Sequence, residues 1–232
     1  MHILLTRPLE DCSNLIIKFK ELGHTVSHLP VIKIKKKEYG EPNYNEFSSI
    51  IFTSSNSIKY MNLENVNKTM TCFCVGSKTE KFARSSGFQN VIAAHGNVRA
   101  LKELILLNHD KKSGKILYMS SEFISFNLDK DLKNEGYDIK RIVNYSVEQN
   151  DEIKINIIKD LKKNIPDIVY IYSENSAKNF LNILKNYQLI DSWMNTNLMC
   201  IGEKTSSVLN EVKWKKIFLF SPGEEEFLLY KV

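Results

Sequence analysis

The stretch Ile51-Phe-Thr-Ser-Ser-Asn-Ser57, continued by Ile58-Lys-Tyr-Met61, decides how the chain is read. Ile50, Ile51 and Phe52 are apolar and partly β-branched, which predicts a buried strand. Thr53 to Ser57 then supply short hydroxyl and amide side chains, good helix caps, where that strand should end. If Ser54, Ser55 or Asn56 opens the helix that carries Ile58 and Met61, free backbone N–H groups and hydroxyls gather at the strand's carboxyl end. Such a place cradles a carboxylate or phosphate. An ordinary capped strand-to-helix turn is the competing reading of the same residues.

The pattern occurs twice. In Tyr170-Ile-Tyr-Ser-Glu-Asn-Ser-Ala-Lys-Asn179, the residues Ser173, Asn175, Ser176 and Lys178 match Ser54, Asn56, Ser57 and Lys59 at a constant offset of 119. Cys74-Val-Gly-Ser-Lys-Thr79 is echoed by Cys200-Ile-Gly-Glu-Lys-Thr205 at an offset of 126. A third pairing, at an offset of 113, sets Ile3, Leu15, Gly23 and Val26 against Ile116, Leu128, Gly136 and Ile139. Short periods of some 20 to 50 residues would mean a solenoid, whereas spacing near half the chain means two similar domains.

Composition agrees. A chain of 232 residues, 43% hydrophobic, is long enough for two cores. The net charge of +5 rests on lysine, since only Arg7, Arg84, Arg99 and Arg141 are arginines, and a basic surface favours an acidic ligand. No Lys/Arg cluster interleaved with aromatics and no nucleic-acid motif is present, so nucleic acid is not the expected partner. Cys12, Cys72, Cys74 and Cys200 are scattered, and His2, His24, His28, His95 and His109 form no metal-ligand pair, so no metal is expected. No apolar run approaches the roughly 18 residues of a membrane span, and the amino terminus runs straight into a strand without a basic leader. The expectation is a soluble, cytoplasmic protein.

Strand and helix patterns alternate along the chain. Strands are expected at 2–5, 25–29, 50–53, 71–75, 91–93, 115–119, 137–142, 168–172, 198–201 and 215–220. Helices are expected at 9–22, 55–61, 77–86, 98–107, 124–135, 153–161, 177–187 and 205–212, with a last one from Glu224. Such alternation predicts parallel sheets covered by helices on both faces. Residues 30–38 and 143–147 leave equivalent strands by the offset of 113 and read as extended crossings. The expected fold is therefore α/β, with two similar parallel-sheet, flavodoxin-like domains joined by a two-stranded linker and a cleft between them. Residues 1–31 plus 149–232 would form a discontinuous first domain, 38–142 an inserted second, and 32–37 with 143–148 the linkers. Ligands of open parallel sheets sit outside the carboxyl ends of the strands, which here carry hydroxyls and glycines and few acids or histidines. That suits a large polyanion.

Leu5-Thr-Arg-Pro8, Phe52-Thr-Ser-Ser-Asn56, Val75-Gly-Ser-Lys-Thr79, Val143-Asn-Tyr-Ser146, Ile201-Gly-Glu-Lys-Thr205 and Ser221-Pro-Gly-Glu-Glu225, in this order, resemble the uroporphyrinogen-III synthase family. The resemblance spans nearly the whole chain; each motif is short, and their ordered combination carries it. It implies a bilobal monomer without cofactor that takes hydroxymethylbilane, a linear tetrapyrrole with carboxylates on every ring, removes water, inverts ring D and closes the macrocycle. Hydroxymethylbilane synthase would be the upstream partner. The sequence departs from the family pattern at Glu174, at Met119-Ser-Ser-Glu122, which lacks an arginine, and at Glu80 and Ser206.

By the resemblance, Tyr145 is the candidate proton donor to the departing hydroxyl; packing of the linker is its other reading. Thr6, Arg7, Ser54, Ser55, Asn56, Gly76, Ser77, Thr79, Ser173, Ser176, Gly202 and Thr205 are the candidate substrate-binding residues. Arg7 would clamp a carboxylate in bidentate fashion or pair with an acid of its own domain. The hydroxyl residues would contact carboxylates or serve only as helix caps. Two other classes share some of these features: a hinged anion-binding protein, and a nucleotide-dependent Rossmann enzyme, although Gly76 and Gly202 lie outside any G-x-G-x-x-G pattern and no P-loop is present.

Overall fold

The computed structural model describes residues 1–221 together with Glu224 and Glu225. In chain order the elements begin β1 (His2–Leu5), α1 (Leu9–Glu21), β2 (Thr25–His28), β3 (Ile32–Lys36), β4 (Phe47–Phe52), α2 (Ser55–Lys59), β5 (Thr71–Val75) and α3 (Gly76–Ser85). They continue with β6 (Val91–Ala94), α4 (Val98–Asn108), β7 (Lys115–Ser121), α5 (Leu128–Asn134) and β8 (Ile139–Gln149). The remainder is α6 (Ile155–Lys163), β9 (Ile168–Ile171), α7 (Glu174–Asn186), β10 (Asn197–Cys200), α8 (Glu203–Ser207) and β11 (Lys216–Leu219). The helix expected from Glu224 lies, beyond Glu225, outside the described residues.

The chain divides into two compact units, one built from Met1–Lys33 and the chain from Glu148 onward, the other from Ile34–Val147. In the first unit the sheet order is β11-β10-β9-β1-β2, all parallel. Counted along the chain this is 2-1-3-4-5, the flavodoxin-like order, with its switch point between β1 and β9. The second unit holds the order β3-β8-β7-β4-β5-β6, parallel from β8 to β6. The added edge strand β3 crosses to β8 with hydrogen bonds from Lys37 N–H to the Asn144 carbonyl and from Asn150 N–H to the Val31 carbonyl, numbers that run in opposite directions.

These strands read as unbroken apolar runs because both faces are covered. In β1, β9 and β10, Leu4, Val169 and Leu198 face one core with Phe180 and Trp193, while Ile3, Leu5, Ile168, Tyr170 and Met199 face the other with Phe19. The second unit repeats the arrangement, with Ile50, Phe52, Cys72, Cys74, Leu117 and Met119 on one side and Ile51, Phe73, Ile116 and Tyr118 on the other. All four cysteines are free and buried. No helix among the described residues is long and apolar enough to cross a membrane.

Three elements differ from expectation by four residues or more at one end. The helix expected over 124–135 begins only at Leu128, leaving 122–127 as a loop, and that expected over 205–212 is a short turn of helix at Glu203–Ser207. The strand expected to stop at 142 runs on to Gln149, because β3 lies beside it and supplies hydrogen-bond partners.

Candidate functional site

In the first unit the switch point lies between the carboxyl ends of β1 and β9, which deliver Thr6-Arg7 and Tyr172-Ser173. Thr6 is buried, and its hydroxyl donates to the Tyr170 carbonyl at 2.6 Å, stitching the two strands together. Arg7 is half-buried, its backbone carbonyl 2.7 Å from His28 Nε2 and its guanidinium carbon 4.4 Å from the centre of the Tyr172 ring. Of the two readings of Arg7, pairing with an acid of its own unit has no ion pair behind it among the described residues, and the guanidinium lies on an aromatic ring. A guanidinium on an aromatic face keeps its donor edge for a carboxylate. The Tyr172 hydroxyl is buried without a hydrogen-bond partner among the described residues. Burial, followed by the Glu225 carboxylate, holds the Tyr172 phenol well above the usual tyrosine pKa against the pull of Arg7.

Ser173 caps α7: its Oγ accepts from the Ser176 N–H at 3.1 Å and lies 2.9 Å from the Ser176 hydroxyl. Ser173 is exposed and Ser176 is buried. The charge of Glu174 is met on the same helix by Lys178, 2.7 Å away, which holds the carboxyl below its ordinary value. After β10, Gly202 opens α8 at φ 74° and ψ 160°, and Thr205 turns inward at 4% exposure.

The second unit repeats the geometry. Gly76 opens α3 at φ 78°, Ser77 is exposed, and Thr79 is buried at 5% exposure. Thr79 and Thr205 are thus both buried, at matching places in the two repeats. Ser54 caps α2, its Oγ accepting from the Asn56 N–H at 3.2 Å, and Ser55 and Asn56 form the half-buried first turn.

Tyr145 lies just past the middle of β8, at the end of its pairing with β7, where the register slips: Ser120 faces Val143 but Ser121 faces Tyr145. A slip of this kind inserts one residue and re-aims its neighbours. Two consecutive side chains then reach the same helix. The amide of the fully buried Asn144 donates to the Ser57 carbonyl at 2.7 Å, and the Tyr145 ring stacks on Tyr60 at 6.3 Å. Burial raises the pKa of Tyr145, with the hydroxyls of Ser54, Ser57 and Ser121 pulling the other way. The group is therefore a neutral phenol throughout the physiological range, with polar neighbours for a transient phenolate.

A cavity of about 160 Å³ opens here, its wall carrying the hydroxyls of Thr53, Ser54, Tyr118, Ser121, Ser125 and Tyr145 beside Val98, Phe123, Ile124 and Phe126. Thr53 and Tyr118 lie 3.3 Å apart, oxygen to oxygen. The pocket straddles the switch point between β4 and β7. Tyr118, Ser121 and the 122–127 loop were not among the sequence candidates. Tyr118 is hidden there as one apolar letter of a strand, and the loop as a helical pattern. Arg141 of β8 holds the start of that loop, donating to Ser120 Oγ at 2.7 Å and to the Ser121 and Glu122 carbonyls at 2.7 and 2.9 Å. Among the described residues no group of three or more His, Cys, Asp or Glu could hold a metal ion.

Residues 13–221 match the family model HEM4, described as uroporphyrinogen-III synthase HemD. Among solved structures, the uroporphyrinogen-III synthetase of Helicobacter pylori superposes with a TM-score of 0.66 at 18% identity, over 100% of this chain and 99% of that one. A mutant uroporphyrinogen III synthase of the extreme thermophile Thermus thermophilus gives 0.56 at 13% identity, over 100% and 98%. At such identities the structural likeness speaks for the fold, and the family match carries the assignment. Among curated proteins, none matches.

Proposed function

The chain belongs to the uroporphyrinogen-III synthase family, and from that premise we propose which of its residues perform the reaction. The family's enzymes are cyclising lyases: hydroxymethylbilane loses water, ring D is inverted, and the tetrapyrrole closes to uroporphyrinogen III. Loss of the hydroxyl from the bilane leaves an azafulvene cation; the substituted carbon of ring D attacks, and a spiro intermediate fragments and recloses with the ring reversed. The protein's task is to fold the substrate and keep water away.

Tyr145 donates its phenolic proton to the hydroxyl as the C–O bond breaks, so that water departs and the phenolate is reprotonated when the closing ring loses its proton. The observation that supports this is the raised pKa of a buried phenol at the edge of a cavity otherwise lined by neutral hydroxyls. The group is protonated when needed, and Ser54, Ser57 and Ser121 soften the cost of its ionisation. Arg7 binds a substrate carboxylate while stacked on Tyr172. Ser54, Ser55, Asn56, Ser77 and Ser173, with the backbone at Gly76 and Gly202, take further carboxylates, and the buried Ser176 holds Ser173 in place. Each such contact at a helix amino terminus is worth only about 0.3–1 kcal/mol, so affinity is spread over many. Thr6, Thr79 and Thr205 support these loops from inside. We take the enzyme to act as a cytoplasmic monomer fed by hydroxymethylbilane synthase.

The test generates hydroxymethylbilane in situ, adds the protein, oxidises the products and separates the uroporphyrin isomers. Isomer III in proportion to protein is the expected result. Isomer I alone, the product of unassisted closure, would refute the reading.

A further inference from the structure

Phe123 is left unused by the reaction as assigned above. Its side chain is 79% exposed, although it stands on the rim of the unit's switch-point cavity beside Tyr118, Ser121 and Tyr145. A scattered exposed apolar residue needs no explanation. An aromatic ring held out of a core at the mouth of a cavity is a different matter, and the loop that carries it is held at both ends. On one side Glu122 N–H donates to the Tyr145 carbonyl at 2.9 Å, Arg141 holds the Ser121 and Glu122 carbonyls, and Lys37 pairs with the Glu122 carboxylate at 2.6 Å. On the other, Phe126 packs against the core of Ile51, Phe73 and Leu128.

The cavity behind it admits only part of a tetrapyrrole. At about 160 Å³ it falls below the roughly 300–1,000 Å³ of pockets that hold a whole drug-sized ligand, and among the described residues none that lines it is charged. Among the lining residues only Ser54, the cap of α2, is assigned to a substrate carboxylate, and a site for several such arms would carry cations. This one offers hydroxyls and aromatic faces, the surroundings that suit one flat ring bearing delocalised positive charge.

We propose that Phe123 is a substrate-binding residue whose ring covers the pyrrole that becomes the azafulvene cation, its π face against the charge and its bulk between that carbon and water. The inference rests on the assignment of this cavity to the reaction. Burying a Phe side chain and facing a cation with it act on different steps: the first binds substrate and cation alike, the second favours the cation alone.

Four variants separate these effects, each assayed for isomer III with kcat and KM resolved. Phe123→Ala is expected to raise KM about tenfold and to lower kcat. Phe123→Leu restores the apolar cover, so KM returns while kcat stays several-fold low. Phe123→Trp keeps both. Unchanged kcat and KM in Phe123→Ala overturn the proposal, and full kcat in Phe123→Leu overturns its cation role. Ser125→Trp, a bulky residue on the exposed part of the same wall, tests the assignment of the cavity itself. If it leaves kinetics intact, that assignment fails; if it impairs them while Phe123→Ala does not, only the present inference fails. A readout without turnover guards against misfolding. The indole introduced by Phe123→Trp should change its emission when uroporphyrinogen III is added under anaerobic conditions, and an unchanged spectrum at saturating product contradicts contact with the ring.

Discussion

Tyr145 shows how one residue's surroundings set both its chemistry and its contribution to stability. Because burial outweighs the neighbouring hydroxyls, the phenol stays protonated well past neutrality. As a general acid it is expected to contribute roughly 10²-fold or less, since the leaving reaction proceeds unaided. Tyr145→Phe should therefore lower kcat within that range while KM holds, and unchanged turnover at saturating substrate would leave Tyr145 only its stacking role. The same shift has a sign in stability. A phenol whose pKa is higher folded than unfolded contributes fully below the unfolded value of about 10 and loses that contribution as pH climbs through the folded value. Tyr44, Tyr118, Tyr137 and Tyr172 are raised as well, each mainly by burial. The protein should keep its denaturation midpoint up to about pH 10 and lose it steeply above. In Tyr172→Phe, whose parent hydroxyl is buried without a partner among the described residues, the alkaline loss should be smaller, and an identical limb in wild type and variant would contradict the assignment.

At the scale of elements, the turns after β5 and β10 test the duplication physically. Gly76 and Gly202 occupy matching places in the two repeats, and their φ angles agree at 78° and 74°. With ψ at 160°, Gly202 lies in a region that is nearly glycine-only, and nothing stands within 4 Å of where a Cβ would project. Gly202→Ala should then cost about 1–3 kcal/mol in denaturant unfolding from backbone strain alone; no loss would mean the turn relaxes freely. Such signals were legible in the sequence, because glycine, cap and apolar run recur at fixed offsets. What was not legible depends on neighbours far along the chain. Ile124, Leu128 and Leu132 have helical spacing, yet Arg141 and Tyr145 claim the backbone of residues 121 and 122, so the helix starts four residues after Ile124. The slip opposite Ser121, which lets Asn144 and Tyr145 both reach α2, leaves no mark in residue types. The burial of Thr79 and Thr205 likewise leaves no mark in residue types, since a threonine early in a helix packed on a sheet can be covered or open.

The two sheets, taken together, reveal how the repeats are distributed. By the sequence offsets, β7 and β8 echo β1 and β2, while β4 and β5 echo β9 and β10. The order β8-β7-β4-β5-β6 is therefore the order β2-β1-β9-β10-β11 over again. Each sheet takes its first strand pair from one repeat and its remaining strands from the other, a reciprocal exchange within one chain. A repeat is contiguous in sequence but incomplete in space. Residues 1–113 would supply β4 without β7, stripping one of the two partners from a strand whose Ile50, Ile51 and Phe52 are wholly buried in the intact unit. Residues 34–147, by contrast, carry β4 to β8 with the apolar residues of both faces of their sheet. The expected outcome is that the fragment 34–147 gives a cooperative thermal transition by circular dichroism. Fragment 1–113 should remain unfolded or aggregate through its open edges, and regain structure only when mixed with 114–232. A cooperative transition in 1–113 alone would mean that each repeat can close on itself, and that the exchange is a choice of the full chain rather than a requirement of its parts.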